Sequence, residues 1–274
     1  MPLAPPAALG RVRGPCHTRR PSVLLTIPCF NEERRLDDGQ VARLLSDPRV
    51  EVLFIDDGSR DGTRARLLAL AAQHAGRVTV HGLDANAGKA EAVRTGMNLA
   101  LGRGASVVGY LDADFATPPE EVSHLLDALE ASGAKAVLGS RVVRLGAELE
   151  RNLARRFLGR AFATTASSIL GLPIYDSQCG AKLFRDTKAL RVALAHPFSS
   201  RWAFDVELLG RLTTGTAQAP PLAAEDLLEV PLRRWHEVGG SKLGAQGMAR
   251  AGMELLALGR RVERLGRRGF FPDP

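Results

Sequence analysis

The sequence predicts an α/β fold with a doubly wound, mostly parallel sheet that carries helices on both faces. Between residues 22 and 141, five short apolar runs typical of strands alternate with four segments of helical periodicity. In three successive units, acidic, polar or glycine-containing turns follow the strand. Because the carboxyl ends of parallel strands meet at one edge of a sheet, these turns predict a ligand site at that edge.

Composition sets limits on the class of protein. A chain of 274 residues with 45% hydrophobic and 24% charged residues can bury one substantial core. The net charge is +7 and most cations are Arg, so nucleotides, lipid phosphates, anionic membranes and nucleic acids are all admissible partners. The three cysteines are unequally spaced, which indicates a reducing compartment and no zinc site.

The first 21 residues are rich in Pro and Arg and are predicted to form a disordered basic tail. They lack the apolar core of a signal peptide, and no stretch approaches the roughly 18 apolar residues of a membrane-spanning helix. We therefore expect a cytoplasmic chain that is soluble or peripheral on the cytoplasmic membrane face.

The first half of the chain contains three strand-and-turn units. The first strand ends at Pro28, and the second ends in the acidic turn at residues 56–63 before a helix that begins at Thr63. In that turn glycines permit a tight bend, and Asp and Ser can accept hydrogen bonds from a nucleoside. The third strand leads to Asn86-Ala87-Gly88-Lys89, where Lys89 lies near a helix N-terminus that favours anions. The spacing is not that of a Walker loop.

The central feature is Asp112-Ala113-Asp114, which follows the apolar strand at residues 107–111. Two neighbouring carboxylates after a buried strand repel each other and lose hydration unless a cation joins them. Mg²⁺ binds one or two protein carboxylates and completes its shell with waters and phosphate oxygens. The alternative is a turn with two solvated acids.

The second half begins with a helix that has Pro119 in its first turn and a strand that ends at Ser140-Arg141. An arginine-faced helix is predicted from about residue 149; it is a solvated helix, a partner surface or an element that lies on a membrane. Further predictions are a polar turn and short strand at 176–184, a helix near Trp202 with acids in its first turn, a strand at 228–232, a glycine-rich lid at 235–242, and a basic amphipathic helix at about 243–266.

Several motifs together resemble those of family 2 glycosyltransferases with the GT-A fold, specifically the polyprenyl-phosphate sugar transferases. The matching segments are P-C-F-N-E at 28–32, D-D-G-S-R-D-G-T at 56–63, N-A-G-K at 86–89, D-A-D at 112–114 and G-S-R at 139–141. Within that group, D-S-Q-C-G-A-K-L-F at 176–184, R-W-A-F-D-V-E-L-L at 201–209 and G-S-K-L at 240–243 are more similar to dolichyl-phosphate β-glucosyltransferases than to the mannosyl enzymes.

The resemblance implies roles for individual residues. Pro28, Phe30, Glu32, Asp56 and Asp57 would hold the nucleoside; Lys89 and Arg141 would face the diphosphate; and Asp112 and Asp114 would bind Mg²⁺ or Mn²⁺. Arg155 or Arg156, with Ser241 and Lys242, would meet donor or acceptor phosphates. Asp114, Arg141 and Asp205 are predicted to belong to the catalytic centre, Asp205 with no role assigned or, alternatively, as an ordinary acid at a helix N-terminus.

The sequence departs from the family pattern at three places. Ala90 replaces a second glycine after Lys89, and Ala116 replaces a Gln with which mannosyl enzymes can contact the metal. We also expect the chain to lack the hydrophobic N-terminal anchor of the eukaryotic glucosyl enzymes. The second departure favours glucose over mannose, and the third leaves membrane attachment open.

The resemblance predicts a catalytic domain at residues 22–245, followed by a basic helix and tail at 246–274. The expected reaction transfers glucose from UDP-glucose to a polyprenyl or dolichyl phosphate with inversion. Since a phosphomonoester is largely dianionic at neutral pH, it needs no general base. A hydroxyl acceptor would need one, for which Asp205, Glu207 and Glu237 are candidates.

Three alternatives remain. One uses GDP-mannose, and another glycosylates a glycan or small-molecule hydroxyl. The third is a non-enzymatic basic adaptor or nucleic-acid binder, but no nucleic-acid motif supports it. We therefore expect a nucleotide-sugar donor, a lipid phosphate acceptor with peripheral membrane contact, and no nucleic acid.

Overall fold

A computed structural model describes residues 23–142, 148–149, 153–238 and 245–271. Its main sheet has seven strands in the order β3-β2-β1-β4-β7-β5-β8. The strands are β1 (Val23–Cys29), β2 (Val50–Asp56), β3 (Val78–Gly82), β4 (Val107–Leu111), β5 (Ala136–Ser140), β7 (Ala181–Arg185) and β8 (Leu227–Pro231), while β6 (Glu148–Leu149) and β9 (Arg234–Trp235) form a separate parallel pair.

The predicted doubly wound, mostly parallel α/β fold is confirmed. The strand β1 pairs in parallel with β2 and β4, and β2 pairs in parallel with β3. The antiparallel strand was not predicted: β7 runs antiparallel between β4 and β5. Its direction brings the start of β7, rather than its end, to the edge where β4 ends. The turn at residues 176–180 therefore lies beside the two acids.

Helices cover both faces of the sheet. They are α1 (Asp38–Leu44), α2 (Thr63–Gln73), α3 (Lys89–Gly102), α4 (Pro119–Ser132), α5 (Leu153–Leu170), α6 (Lys188–Leu194), α7 (Phe204–Thr214) and α8 (Ala245–Leu265). The short α6 and the β6–β9 pair were not predicted, since each is too short to show a clear periodicity. The helix α3 packs closely on β1 because Gly96 has no side chain: a Cβ there would lie 2.3 Å from Cγ2 of Thr26.

Apolar residues form one cluster on each face of the sheet. The cluster beneath α3, α6 and α7 also contains Leu255 and Leu258 of α8 and Phe270 beyond it. The C-terminal helix therefore shares a core with the predicted catalytic domain, although its division at residue 245 stays a prediction. Across the described ranges, no helix combines the length and apolar character needed to cross a membrane.

Candidate active site

The two acids of the D-A-D motif lie at the carboxyl end of β4, where the sequence predicted them. The backbone N–H of Asp112 donates to the carbonyl of Gly180 at 3.0 Å, which fixes the chain as it leaves the strand. A Cβ at Gly180 would lie 2.2 Å from Oδ2 of Asp112, so glycine is required for the carboxylate to occupy this position. The antiparallel strand β7 thus supports the first acid from behind.

Lys89 meets Asp112 across this edge. Its Nζ lies 2.6 Å from Oδ1 of Asp112, and both side chains are partly exposed. Desolvation lowers the pKa of Lys89, but the carboxylates of Asp112 and Asp205 outweigh it and raise the pKa above the ordinary value. Lys89 is therefore held as a cation at the first turn of α3, where an anion is also favoured by the helix dipole.

Asp114 lies on the other side of the motif. Its carboxylate accepts from the backbone N–H of Ala116 at 3.1 Å, and its Oδ2 lies 3.3 Å from a guanidinium nitrogen of Arg35. Burial and the neighbouring Asp112 raise the pKa of Asp114. Sequence reasoning missed Arg35, which lies only three residues beyond Glu32 but reaches the motif only through the fold.

The carboxylate pair fits a divalent cation. Asp112 and Asp114 offer hard oxygen donors that repel each other and remain partly open to solvent. Within the described parts of the chain, no group of three or more His, Cys, Asp or Glu side chains is placed to hold a metal ion. Two carboxylates would leave the other coordination positions for waters and substrate oxygens, as Mg²⁺ or Mn²⁺ in a nucleotide site requires.

Asp57 organises the loop before Lys89. Its carboxylate accepts from the backbone N–H groups of Ala87 at 2.7 Å and Gly88 at 2.9 Å, and from the side-chain amide of Asn86 at 2.8 Å. Burial raises the pKa of Asp57, and these N–H donors lower it only in part. The carboxylate is thus engaged in shaping the loop, and its predicted contact with the nucleoside stays a prediction.

The other predicted nucleoside residues surround the ends of β1 and β2. Pro28 lies within β1 opposite Ile55, and Phe30 follows the strand. Asp56 is buried and accepts from the backbone N–H of Ser59 at 3.1 Å. The backbone N–H of Glu32 donates to Oγ1 of Thr63 at 2.7 Å, which ties the first loop to α2. The fold therefore brings these four residues to one region beside the D-A-D motif.

Arg141, at the end of β5, is engaged by an acid that sequence reasoning gave no role. Its guanidinium forms two hydrogen bonds with Asp176, at 2.6 and 2.8 Å, and its carbon lies 5.6 Å from the ring centroid of Trp235. Burial alone would raise the pKa of Asp176, but attraction to Arg141 holds it at about 2. The predicted contact of Arg141 with a diphosphate stays a prediction.

Asp205 lies in a buried network behind Lys89. Its carboxylate accepts from Nζ of Lys182 at 2.7 Å and from the hydroxyl of Tyr110, and Lys182 also donates to the carbonyl of Cys179 at 2.6 Å. Glu207, two residues further along α7, is also engaged: it pairs with Arg211 at 2.7 Å and accepts from the backbone N–H of Ser200 at 3.0 Å. Because its carboxylate is engaged in these contacts, Glu207 is not placed to act as a general base.

Arg201 is a second cation that sequence reasoning missed. Its guanidinium lies against the N-A-G-K loop, 2.7 Å from the position that a Cβ on Gly88 would occupy and 3.5 Å from Oδ1 of Asn86. The only signal in the sequence was its position at the start of R-W-A-F-D-V-E-L-L. The side chains of Arg155 and Arg156, and residues Ser241 and Lys242, lie outside the described part of the structure.

Comparison with known proteins agrees with this geometry. Residues 25–191 match the model of a single family, described as Glycosyl transferase family 2, which spans more than half of the chain. The chain belongs to glycosyl transferase family 2. It is therefore a glycosyltransferase enzyme, and the resemblance predicted from the motifs is confirmed.

Curated relatives align with most of the chain. Polyprenol monophosphomannose synthase of Mycolicibacterium smegmatis is 32% identical over 239 residues, which are 85% of this chain and 86% of that protein. Dolichyl-phosphate beta-glucosyltransferase of Drosophila melanogaster is 32% identical over 260 residues, 87% of this chain and 74% of that protein. These two relatives, one named for mannose and one for glucose, thus have the same identity to this family 2 chain.

Solved structures support the GT-A fold of this family 2 enzyme. Glucosyl-3-phosphoglycerate synthase from Mycobacterium tuberculosis, in complex with Mn²⁺ and UDP-glucose, has a TM-score of 0.60 at 21% identity, covering 92% of this chain and 80% of that chain. The complex of the same enzyme with UDP has a TM-score of 0.59 at 20% identity. At this identity the likeness establishes the fold and not the substrate.

Proposed function

We propose that this family 2 enzyme transfers a hexose, most simply glucose from UDP-glucose, to the phosphate of a polyprenyl or dolichyl phosphate with inversion at the anomeric carbon. The names of the relatives in Mycolicibacterium smegmatis and Drosophila melanogaster support a polyprenol or dolichyl phosphate acceptor. Because one relative is named for mannose and the other for glucose, the donor sugar must be determined by experiment.

The observation that carries the proposal is the state of the acids near the D-A-D motif. Asp205 is bound by Lys182 and Tyr110, and Glu207 is bound by Arg211 and backbone N–H groups. Neither of these two carboxylates is placed to remove a proton from a hydroxyl acceptor, so Glu237 is the remaining candidate base among the three predicted acids. A phosphate acceptor needs no such base, because it is already an anion with a nucleophilic oxygen.

Cations, by contrast, surround the place where phosphates would lie. Lys89 lies beside Asp112, Arg35 beside Asp114, and Arg201 beside Gly88. Lys89 and the first turn of α3 would bind the donor diphosphate, and Arg201 would add charge-assisted hydrogen bonds to phosphate oxygens. A divalent cation on Asp112 and Asp114 would supply further charge for the departing nucleotide diphosphate.

The residues also suggest how the donor is positioned. Asp57 fixes the backbone that presents Lys89, and the end of β1 with the acidic turn after β2 lies where the nucleoside would bind. The buried Lys182–Asp205–Tyr110 network stands behind Lys89 and fixes the local charge almost without contact to solvent. Positioning and electrostatic stabilisation therefore account for the chemistry expected of these residues.

A panel of nucleotide sugars tests the proposal. Purified enzyme with Mg²⁺ or Mn²⁺ is incubated with UDP-glucose, GDP-mannose or UDP-N-acetylglucosamine, with and without polyprenyl phosphate, and nucleotide release is measured. Radiolabelled sugar is then followed into the organic phase. We expect acceptor-dependent release and an organic-soluble product with UDP-glucose.

Two other outcomes of this assay would change the proposed donor or the proposed acceptor. Product formed from GDP-mannose alone would retain the lipid acceptor and replace the donor, as the relative from Mycolicibacterium smegmatis favours. Release that depends on an oligosaccharide or small-molecule hydroxyl, and not on polyprenyl phosphate, would overturn the proposed acceptor.

A further inference from the structure

The outward side of α8 combines exposed apolar residues with arginines. At 100° per residue, Arg250, Met253, Leu256, Arg260 and Arg264 fall within a stripe of about 120°, which we call the outer face of α8. Met253 is 62% exposed and Leu256 55% exposed, and the three arginines are also exposed. Apolar side chains of this size are normally placed inward on a helix that packs against a core.

The opposite side of α8 fixes the helix to the rest of the chain. Ala251, Leu255 and Leu258 are buried, and the last two belong to the core cluster beneath α3 and α7. The carboxylate of Glu254 accepts from the hydroxyl of Ser200 at 2.6 Å and from the backbone N–H of Trp202 at 2.8 Å. The exposure of the outer face is therefore not a consequence of a loosely placed helix.

The charges on the outer face are available to a partner. Among the ion pairs between described residues, none joins Arg250, Arg260 or Arg264 to an acid. Two further arginines, Arg267 and Arg268, follow in the next turn, and Glu263 is the acid that flanks the stripe. Excess positive charge around two exposed apolar side chains is complementary to a surface that offers both phosphate and hydrocarbon.

We propose that the outer face of α8 docks this enzyme on an anionic lipid surface. Met253 and Leu256 would enter the boundary between headgroups and acyl chains, while the guanidinium groups bind lipid phosphates. The aliphatic stems of the arginines allow their charged ends to reach the headgroups when the helix lies flat. Attraction between several arginines and anionic lipids adds to the burial of the apolar residues.

The position of α8 relates this surface to the candidate active site. Glu254 holds Ser200 and Trp202, the residues on either side of Arg201, and the guanidinium of Arg201 lies against Gly88 in the loop before Lys89. A docked helix would therefore hold this segment at a set place relative to the bilayer. This link to acceptor delivery rests on the proposed polyprenyl phosphate acceptor, whereas the docking itself does not.

Vesicle binding by the full chain tests the docking. Binding is measured by flotation with vesicles of phosphatidylcholine alone and of phosphatidylcholine mixed with phosphatidylglycerol, at low and high salt. We expect binding to the mixed vesicles that weakens as salt rises, because exposed charges are screened. Arg260→Glu with Arg264→Glu should weaken that binding by about tenfold or more, given the attraction of each basic residue to an anionic surface.

Control variants distinguish an effect of the outer face of α8 from an effect of net charge or of misfolding. Lys135→Glu with Lys188→Glu changes the net charge equally but leaves α8 intact, and it should retain most of the binding. Met253→Ser with Leu256→Ser should weaken binding, whereas Leu68→Ser, which removes an apolar side chain 52% exposed on α2, should not. Thermal unfolding of each variant confirms that it is folded.

Transfer assays distinguish this proposal from the proposed function. Each α8 variant should transfer sugar to polyprenyl phosphate in detergent at the parental rate but should lose transfer to the same lipid in anionic vesicles. Equal vesicle binding by parent and α8 variants, or self-association through the outer face without vesicle binding, would overturn the docking. Normal vesicle binding with no transfer to polyprenyl phosphate in either form would instead overturn the acceptor.

Discussion

Lys182 and Asp205 form an ion pair of 2.7 Å in which the lysine is fully buried and the acid is 5% exposed at its side chain. The pair joins β7 to the first turn of α7, directly behind Lys89. Burying two charges is costly, and the cost is offset only while both partners and their further hydrogen bonds are present. The pair shows that Asp205, for which the sequence left open an ordinary acid at a helix N-terminus, is a buried partner of Lys182.

Lys182→Met should destabilise the folded protein by about 3 to 5 kcal/mol, because it leaves the Asp205 carboxylate buried without its cation. Urea unfolding measures the free energy of unfolding. Lys188→Met makes the same substitution at an exposed lysine and should change stability by less than about 0.5 kcal/mol. A loss of less than about 1 kcal/mol at Lys182 would contradict a paired, buried charge.

Asp57→Asn should raise the KM for the nucleotide sugar by about tenfold, because the new amide keeps one acceptor oxygen and turns an NH2 donor toward one of the backbone N–H groups of Ala87 and Gly88. The rate at saturating donor should change less, because Lys89 itself is retained. Initial rates at varied donor concentration separate the two effects. Asp84→Asn, an exposed acid just before the same loop, is the matched control and should leave both parameters unchanged.

Asp112→Asn and Asp114→Asn should each lower sugar transfer by about a hundredfold or more, the scale expected when one charge-stabilising group is lost. A chelator should abolish transfer by the parent enzyme, and added Mg²⁺ or Mn²⁺ should restore it. Nucleotide release measures both effects, with Asp38→Asn as a control at an exposed acid. Parental rates in either variant, or turnover unaffected by chelator, would refute a metal site at the D-A-D motif.

Arg201→Ala should raise the KM for the donor by about tenfold, because a charged hydrogen-bond donor beside the N-A-G-K loop is removed. Arg201→Lys keeps the charge but not the planar, bidentate geometry, so it should recover the affinity only in part. Arg43→Ala removes an arginine that is 57% exposed on α1 and should have no effect. An unchanged KM in Arg201→Ala would place the donor phosphates away from this residue.

Asp176 should make stability depend on pH in the acid range. Its folded pKa is held at about 2, below the ordinary value of about 3.9, so the folded state binds fewer protons than the unfolded state between these values. The stabilisation is complete above about pH 4 and is lost as the pH falls through about 2. We expect a difference of about 2 kcal/mol between parent and Asp176→Asn near neutral pH.

Urea unfolding of both proteins between neutral pH and pH 2 measures this difference. It should shrink as the Asp176 carboxylate of the parent becomes protonated. A difference that stays constant across the range would show that the contribution of Asp176 does not depend on its charge.

The sequence by itself determined the alternation of strands and helices from β1 to β5, the family, and the place of the D-A-D acids after a buried strand. These features depend on residues close in the chain: an apolar run sets the strand, and the acids that follow it must emerge at its end. The GT-A fold followed from motifs matched together rather than from any one of them.

Only the tertiary structure decided which side chains meet across that edge. Lys89 contacts Asp112, Arg35 contacts Asp114 and Lys182 contacts Asp205, yet the partners of each pair come from different elements. The antiparallel direction of β7, which brings Gly180 beneath Asp112, depends on strand pairing between segments some 70 residues apart. Periodicity reports which face of an element is buried, but it contains no information about which distant residue lies opposite a given charge.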